Sequence, residues 1–142
     1  MERQNAKAPK GGGEGPFAAT DDGARRFIGA AIEVHRVIGP GYVESVYERA
    51  LCLELELRGI AFERQPAVRV SYKGHVVGEG RLDLVVEPDV VVELKAAPAL
   101  LPVHKAQILA YLKATRRRLG LLVNFNAPVL TVKRIINGVP RP

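Results

Sequence analysis

Two carboxylates and an ammonium fall within one short hairpin pattern. Arg81-Leu82-Asp83-Leu84-Val85-Val86 and Val90-Val91-Val92-Glu93-Leu94-Lys95 flank Glu87-Pro88-Asp89. A turn centred on Pro88 sets Leu82 against Leu94, Leu84 against Val92 and Val86 against Val90, which makes one side of the ribbon wholly apolar. On the other side Asp83 stands opposite Glu93, and Arg81 opposite Lys95. Directly opposed strand residues have Cβ atoms ~4.5–5.5 Å apart. Carboxylates that close repel one another, and local strand stability gives no reason for them. A divalent cation between them removes the objection, because hard ions such as Mg²⁺ take carboxylate oxygens and keep open positions for water and phosphate.

Lys95 lies two residues beyond Glu93, so strand periodicity puts both side chains on one face. Its ammonium is suited to holding an attacking water or stabilising charge on a phosphate. The competing reading is a solvent-facing strand side with mixed charges, common on antiparallel hairpins. Against it, Val90-Val91-Val92-Glu93-Leu94-Lys95-Ala96-Ala97 is apolar enough to be central in a sheet.

A second cluster follows. His104, Gln107 and Tyr111 recur at i, i+3 and i+7 and share one helical face. Such a stripe orients a phosphate or a catalytic side chain; otherwise it is an exposed face with Tyr111 partly in the core. Lys105, Lys113, Arg116, Arg117 and Arg118 lie on or just after the same helix. The three arginines suit a solvated helix end favoured by the dipole, and the whole basic set suits contacts to a nucleic-acid backbone. Glu44, opening another helix, would by itself only offset the macrodipole. No Ser–His–Asp or Cys–His arrangement is visible, and the one glycine-rich run lacks the Lys-Ser/Thr of a phosphate loop.

The elements that must position these residues follow from periodicity. Phe27, Ile28, Ala31, Val34 and Ile38 predict a helix over Ala24 to Val37, with Asp21 and Asp22 as capping candidates and Gly39-Pro40-Gly41 as its stop. A second helix runs from Val43 to Arg58, with Val46, Tyr47, Ala50, Leu53 and Leu57 as its inward stripe and Gly59 behind it. The pattern then turns to strands at Ala67–Tyr72, Val76–Val86 and Val90–Ala96, rich in Val. Pro102 leads a third helix over Val103 to Arg117. Gly120–Asn126 reads as a buried strand and Val129–Ile135 as a last one. The order is α-α-β-β-β-α-β-β. Residues 1–23, with five of the fourteen glycines and no hydrophobic period, read as a flexible tail, 24–138 as one domain, and 139–142 as an irregular end.

Composition bounds the rest. A chain of 142 residues that is 47% hydrophobic and 25% charged builds a real core. No run approaches the ~20 apolar residues of a membrane span, and no apolar segment follows the first charges, so no signal peptide and a cytoplasmic location are expected. The single Cys52 makes no internal disulfide. The net charge of +6 is unevenly spread: from Leu94 onward there are nine basic residues and no Asp or Glu. A one-sign block of this kind favours a polyanionic partner, nucleic acid before anionic membrane.

With these residues in place, the chain resembles the PD-(D/E)xK nuclease superfamily. In particular it is similar to the bacterial group called GxxExxY proteins, after Gly41-Tyr42-Val43-Glu44-Ser45-Val46-Tyr47. The likeness covers roughly Ala24 to Gly138 and includes His35, Gly39-Pro40-Gly41, Arg81-Leu82-Asp83-Leu84, Val92-Glu93-Leu94-Lys95, Pro102-Val103-His104-Lys105-Ala106-Gln107, Tyr111-Leu112 and Gly120-Leu121-Leu122-Val123-Asn124-Phe125. It implies an α/β, restriction-endonuclease-like core with a central mixed sheet flanked by helices. It further implies that Asp83 and Glu93 bind Mg²⁺ (or Mn²⁺), that Lys95 assists the water nucleophile, and that Glu44 is an additional metal-site or water-site acid. Gln107 and Tyr111 match the Gln-x-x-x-Tyr signature of the exonuclease-like branch, where they position the site. Leu82 stands where the superfamily usually has proline, and no recognition domain is legible.

The expected activity is therefore metal-dependent phosphodiester hydrolysis of nucleic acid, DNA ahead of RNA, with no membrane partner and a homodimer left open. The alternative is a non-catalytic nucleic-acid-binding or accessory protein that retains the fold. A third reading, a structural homo-oligomer, requires the acid pair to be a salt-linked surface that binds no Mg²⁺.

Overall fold

A computed structural model describes residues 15–138. Most of the expected glycine-rich tail, residues 1–14, and the expected tail 139–142 lie outside the described residues. Three helices and seven strands follow in the order α1 (Ala18–Ile38), α2 (Glu44–Leu57), β1 (Phe62–Arg64), β2 (Ala67–Tyr72), β3 (His75–Arg81), β4 (Leu84–Val86), β5 (Val90–Lys95), α3 (Pro102–Thr115), β6 (Leu119–Asn124) and β7 (Thr131–Ile136).

Five strands make a mixed sheet in the order β1-β4-β5-β6-β7, while β2 and β3 form a separate two-stranded ribbon. β5 and β6 run parallel and every other pair is antiparallel. The parallel pair demands a crossover, and α3 supplies it. Both central strands are buried on both faces, as their unbroken apolar runs require. One face packs on α1 and α2 through Phe27, Tyr47, Leu51, Leu55, Leu84, Val92, Leu121 and Phe125. The other packs Val85 and Val91 against Val68, Leu82, Ile108 and Leu112 from the ribbon and α3.

Several expectations change. α1 starts at Ala18, so the helix includes six residues assigned to the tail. Gly23 is buried there because α1 crosses close to the β4–β5 turn: a Cβ on it would stand 2.5 Å from the Glu87 carbonyl oxygen. This glycine permits a close approach instead of flexibility. Asp22 does not cap; it pairs with Arg25 and Arg26. On α2 the inward stripe is Tyr47, Glu48, Leu51 and Leu55, whereas Val46, Leu53 and Leu57 face outward. Apolar residues surround that helix, so pattern alone could not set its phase.

The expected strand Val76–Val86 is two strands in different sheets. The break falls at Leu82-Asp83, where the Leu82 N–H donates to the Pro66 carbonyl and the Asp83 carbonyl accepts from the Gln65 N–H. Those bonds turn the chain. Leu82 consequently leaves the Leu84 face and joins Val85 and Val91 on the other, and Arg81 pairs with Ala67, not with Lys95. β1, only three residues long, carries too little pattern to be seen in sequence.

Candidate active site

The β4–β5 hairpin has the register expected from its turn: Leu84 opposes Val92, Val85 opposes Val91 and Val86 opposes Val90. One step beyond that ladder the two acids meet. The Asp83 N–H donates to Glu93 Oε1 at 3.2 Å, and the Leu94 N–H donates to Asp83 Oδ2 at 2.7 Å. Among the described residues, the other oxygen of each carboxylate accepts no hydrogen bond. Glu93 is only 6% exposed. Burial, then the charge of Asp83, pushes its pKa up to about 7. Burial also raises Asp83, with the Glu48 and Glu44 carboxylates adding to the effect and the Leu94 N–H and Lys95 opposing it.

Lys95 ends β5, half-buried, and its charge lowers both acids. Among the described residues it closes no ion pair with either. In register it lies beside Asn124 of β6. The Asn124 side chain accepts from the Ala97 and Asn126 N–H groups and donates to the Ala97 carbonyl, which fixes the chain just beyond Lys95.

Glu44 is the first residue of α2 and is exposed. Its charge nevertheless acts on both Asp83 and Glu93. The turn before it explains the spacing of Gly41, Glu44 and Tyr47. Gly41 has φ +111°, a conformation only glycine adopts freely. Tyr47 is buried, donates its hydroxyl to the Gly39 carbonyl at 2.6 Å and stacks on Phe125 with ring centroids 4.5 Å apart. It anchors the turn that presents Glu44.

Glu48, one helical turn further, was not singled out from sequence. Its carboxylate accepts from Arg64 Nε at 2.5 Å and from Gln65 Nε2 at 3.1 Å. Gln65, at φ +53°, also donates its N–H to the Asp83 carbonyl, and so joins Glu48 to the acid pair. The signal available was the i, i+4 repeat from Glu44, which placed both acids on one face. Among the described residues, however, no three His, Cys, Asp or Glu side chains converge closely enough to hold an ion by themselves.

A family model of the PD-(D/E)XK nuclease superfamily matches residues 21–135. The chain belongs to this superfamily. No curated protein matches it. Its structure is similar to the crystal structure of SSO0001, with TM-score 0.54 and 21% identity over 68% of this chain; it spans 50% of that one. It is also similar to an alkaline exonuclease, LHK-Exo from Laribacter hongkongensis, with TM-score 0.47 and 14% identity over 80% of this chain and 70% of that one. The five-stranded mixed sheet between helices is the restriction-endonuclease-like fold of the superfamily.

The remaining expected residues are only partly gathered at this place. Gln107 is exposed on α3, with no hydrogen bond to the acids. Tyr111 lies instead against the ribbon: a Cβ on Gly80 would stand 2.5 Å from its hydroxyl. His104 caps α3, its Nδ1 accepting from the Leu101 N–H at 3.0 Å.

Lys105 and Lys113 are exposed along α3. Arg116, Arg117 and Arg118 follow its C-terminus, beside the start of β5, since Val90 pairs with Leu119. At ~3.3 Å per residue they are about 20 Å or more from Lys95 along the sheet. Arg117 pairs with Asp89 at 2.6 Å, and Arg118 bonds Asp21 while its guanidinium stands 3.9 Å from the Phe17 ring centroid. Two of these three charges thus hold the fold together.

Proposed function

We propose that this chain hydrolyses phosphodiester bonds in DNA with a divalent cation, Mg²⁺ or Mn²⁺, held by Asp83 and Glu93. The observation that carries the reading is the pair itself. Two carboxylates grip each other's strand in a buried place, and among the described residues each keeps an oxygen free and no counter-ion in contact balances them. Two carboxylates without a closed cage suit Mg²⁺, which takes one or two acids and completes its shell with water and substrate phosphate. When bound, the cation supplies positive charge that offsets the pair and polarises the phosphate.

The chain's own groups do the rest. Lys95 holds a water or a phosphate oxygen with an ammonium that no ion pair occupies. Glu44 extends the acidic edge towards the same place, and Glu48 and Gln65 keep Asp83 oriented. The exposed basic residues Lys105 and Lys113 contact the nucleic-acid backbone. The GxxExxY spacing supports placing the protein in the group of that name, and the Gln107-x-x-x-Tyr111 pattern supports the exonuclease-like branch of the superfamily. A cytoplasmic location belongs to the same reading, as does the homodimer as a candidate assembly; no described helix is long and apolar enough to cross a membrane.

A second reading, an accessory protein that binds nucleic acid without cutting it, is favoured by one observation: among the described residues no three acids converge closely enough to hold an ion by themselves. The deciding experiment uses labelled linear, circular and single-stranded DNA, and RNA, with Mg²⁺, Mn²⁺ or EDTA. Cleavage that needs the cation and is lost in Lys95→Ala and Glu93→Ala establishes the nuclease. Salt-sensitive binding shared by all three proteins, with no cleavage, establishes the accessory protein.

A further inference from the structure

We propose that the β2–β3 ribbon is a duplex-binding arm that lies in a groove of B-form DNA and holds it against the acid pair. The inference rests on the nucleic-acid reading above and adds to it the form of the substrate. The ribbon belongs to neither layer of the main sheet. Its root is fixed: Val68 is buried with Leu82, Ile108 and Leu112, and Gly80 lies under Tyr111. Beyond the root every residue from Arg69 to Glu79 is exposed.

An exposed two-stranded ribbon gains little stability alone in water, yet this one carries Val70, Tyr72, Val76 and Val77, the last three 62%, 59% and 61% exposed. Strand alternation puts Val70 and Tyr72 on one face and Val76, opposite Ser71, on the other, so apolar side chains stand in water on both sides of the ribbon, as an element enclosed by the walls of a groove requires. Its charge favours a polyanion: Arg69 lies directly opposite the one acid of this stretch, Glu79, and Lys73 at the tip carries a positive charge with no acid across from it. At the tip the Lys73 ammonium stands 5.4 Å from the Tyr72 ring centroid. Basic groups meet phosphates, while Val and Tyr meet base edges and thymine methyls.

Shape agrees with charge. Lys73 and Gly74 both have positive φ, +50° and +82°, the pattern of a tight two-residue hairpin turn. From Arg81 to His75 the arm reaches ~20 Å. The major groove of B-DNA, ~12 Å wide, admits a two-stranded ribbon, whereas that of A-form RNA is too narrow for side chains to read. The irregularity between Val70 and Ser71 bends the edge and opposes pairing with another strand. β3 also runs through Leu82 directly into Asp83, so a duplex seated on the arm is held at a set distance from the site.

The test titrates the full chain in EDTA with a labelled DNA duplex, one of its single strands and an RNA duplex of the same sequence, at several salt concentrations. The variants are Tyr72→Ala with Lys73→Glu, and Val76→Ser with Val77→Ser; all four positions are exposed, and thermal melting checks that the fold is kept. The first variant weakens DNA-duplex binding about tenfold and lowers the salt slope by about one, the second also weakens it, and single-strand binding is unchanged in both. Wild-type duplex affinity in both variants overturns the arm and leaves the nuclease reading standing. Equal losses on DNA and RNA duplexes overturn groove insertion. A variant that instead turns a dimer into a monomer on sedimentation overturns the proposal in favour of a second copy. A wild-type chain that binds no nucleic acid overturns arm and nuclease readings together. Ribbon-dependent duplex binding without cleavage in Mg²⁺ leaves the arm in place and removes only the nuclease.

Discussion

Asp83 and Glu93 are bound to each other's strand: the Asp83 N–H donates to the Glu93 carboxylate, and the N–H following Glu93 donates to the Asp83 carboxylate. This crossed arrangement holds two like charges together where a simple ladder would end. It has a direct consequence for pH.

Glu93 has a pKa raised to about 7 in the folded chain against 4.5 ordinarily. A carboxyl with a raised folded pKa stabilises the fold at pH below its unfolded value, and that contribution is lost as pH rises through the folded one. Metal-free protein should therefore lose stability between about pH 4.5 and 7, by an amount on the order of 3 kcal/mol. Glu93→Gln should melt higher than wild type at pH 8 in EDTA. Added Mg²⁺ should raise Tm for wild type and not for the variant. Calorimetry across that pH range checks both.

Tyr47→Phe keeps the ring stacked on Phe125 and deletes the hydroxyl that holds Gly39 and Tyr42. A loss of about 1–2 kcal/mol in urea unfolding is expected. Because the freed turn presents Glu44, cleavage should fall more steeply than fold stability does, while Cys52→Ser, which leaves the turn untouched, should not reproduce that fall.

Gly80→Ala places a methyl against the Tyr111 ring, whose hydroxyl and nearest carbons are 2.5 and 3.0 Å away. The fold should lose about 1–3 kcal/mol. Tyr111→Leu should recover part of it, and a double-mutant cycle in denaturant measures the coupling.

Arg117→Ala removes the ion pair with Asp89. A partly exposed pair of this kind contributes about 1 kcal/mol or less, so Tm should fall slightly and DNA affinity should stay near wild type. Lys105→Ala should do the reverse, weakening binding and leaving Tm alone. Melting and anisotropy titrations on both variants separate a charge that holds the fold from one that meets the backbone.

The hairpin that carries the candidate site was legible because its parts are local. A hairpin turn and strand alternation fix which residues oppose one another, so Asp83, Glu93 and Lys95 follow from a dozen consecutive residues, and the ladder agrees with the register expected. The three helices and the buried strand β6 were visible for the same reason, each having its own period.

What was not legible depends on contacts between distant segments. Leu82 changes face because Pro66 and Gln65 capture the backbone there, and no local pattern records that bond. Glu48 enters the site through Arg64 and Gln65, and Tyr111 leaves the expected polar stripe to cover Gly80. The α2 stripe was misphased since apolar residues surround the helix and only its neighbours choose a side.

The amino-acid sequence by itself determined the candidate site's ingredients: an acid pair with a lysine on one strand face, a basic C-terminal third, and the order of elements around them, all set by short-range periodicity and charge. Tertiary structure alone decided which basic residues are held in ion pairs, that Glu48 is linked to Asp83 through Gln65, and that residues 67–81 form a ribbon apart from the main sheet. Those outcomes turn on burial and on hydrogen bonds between residues far apart in the chain, and such bonds exist only once the layers have packed.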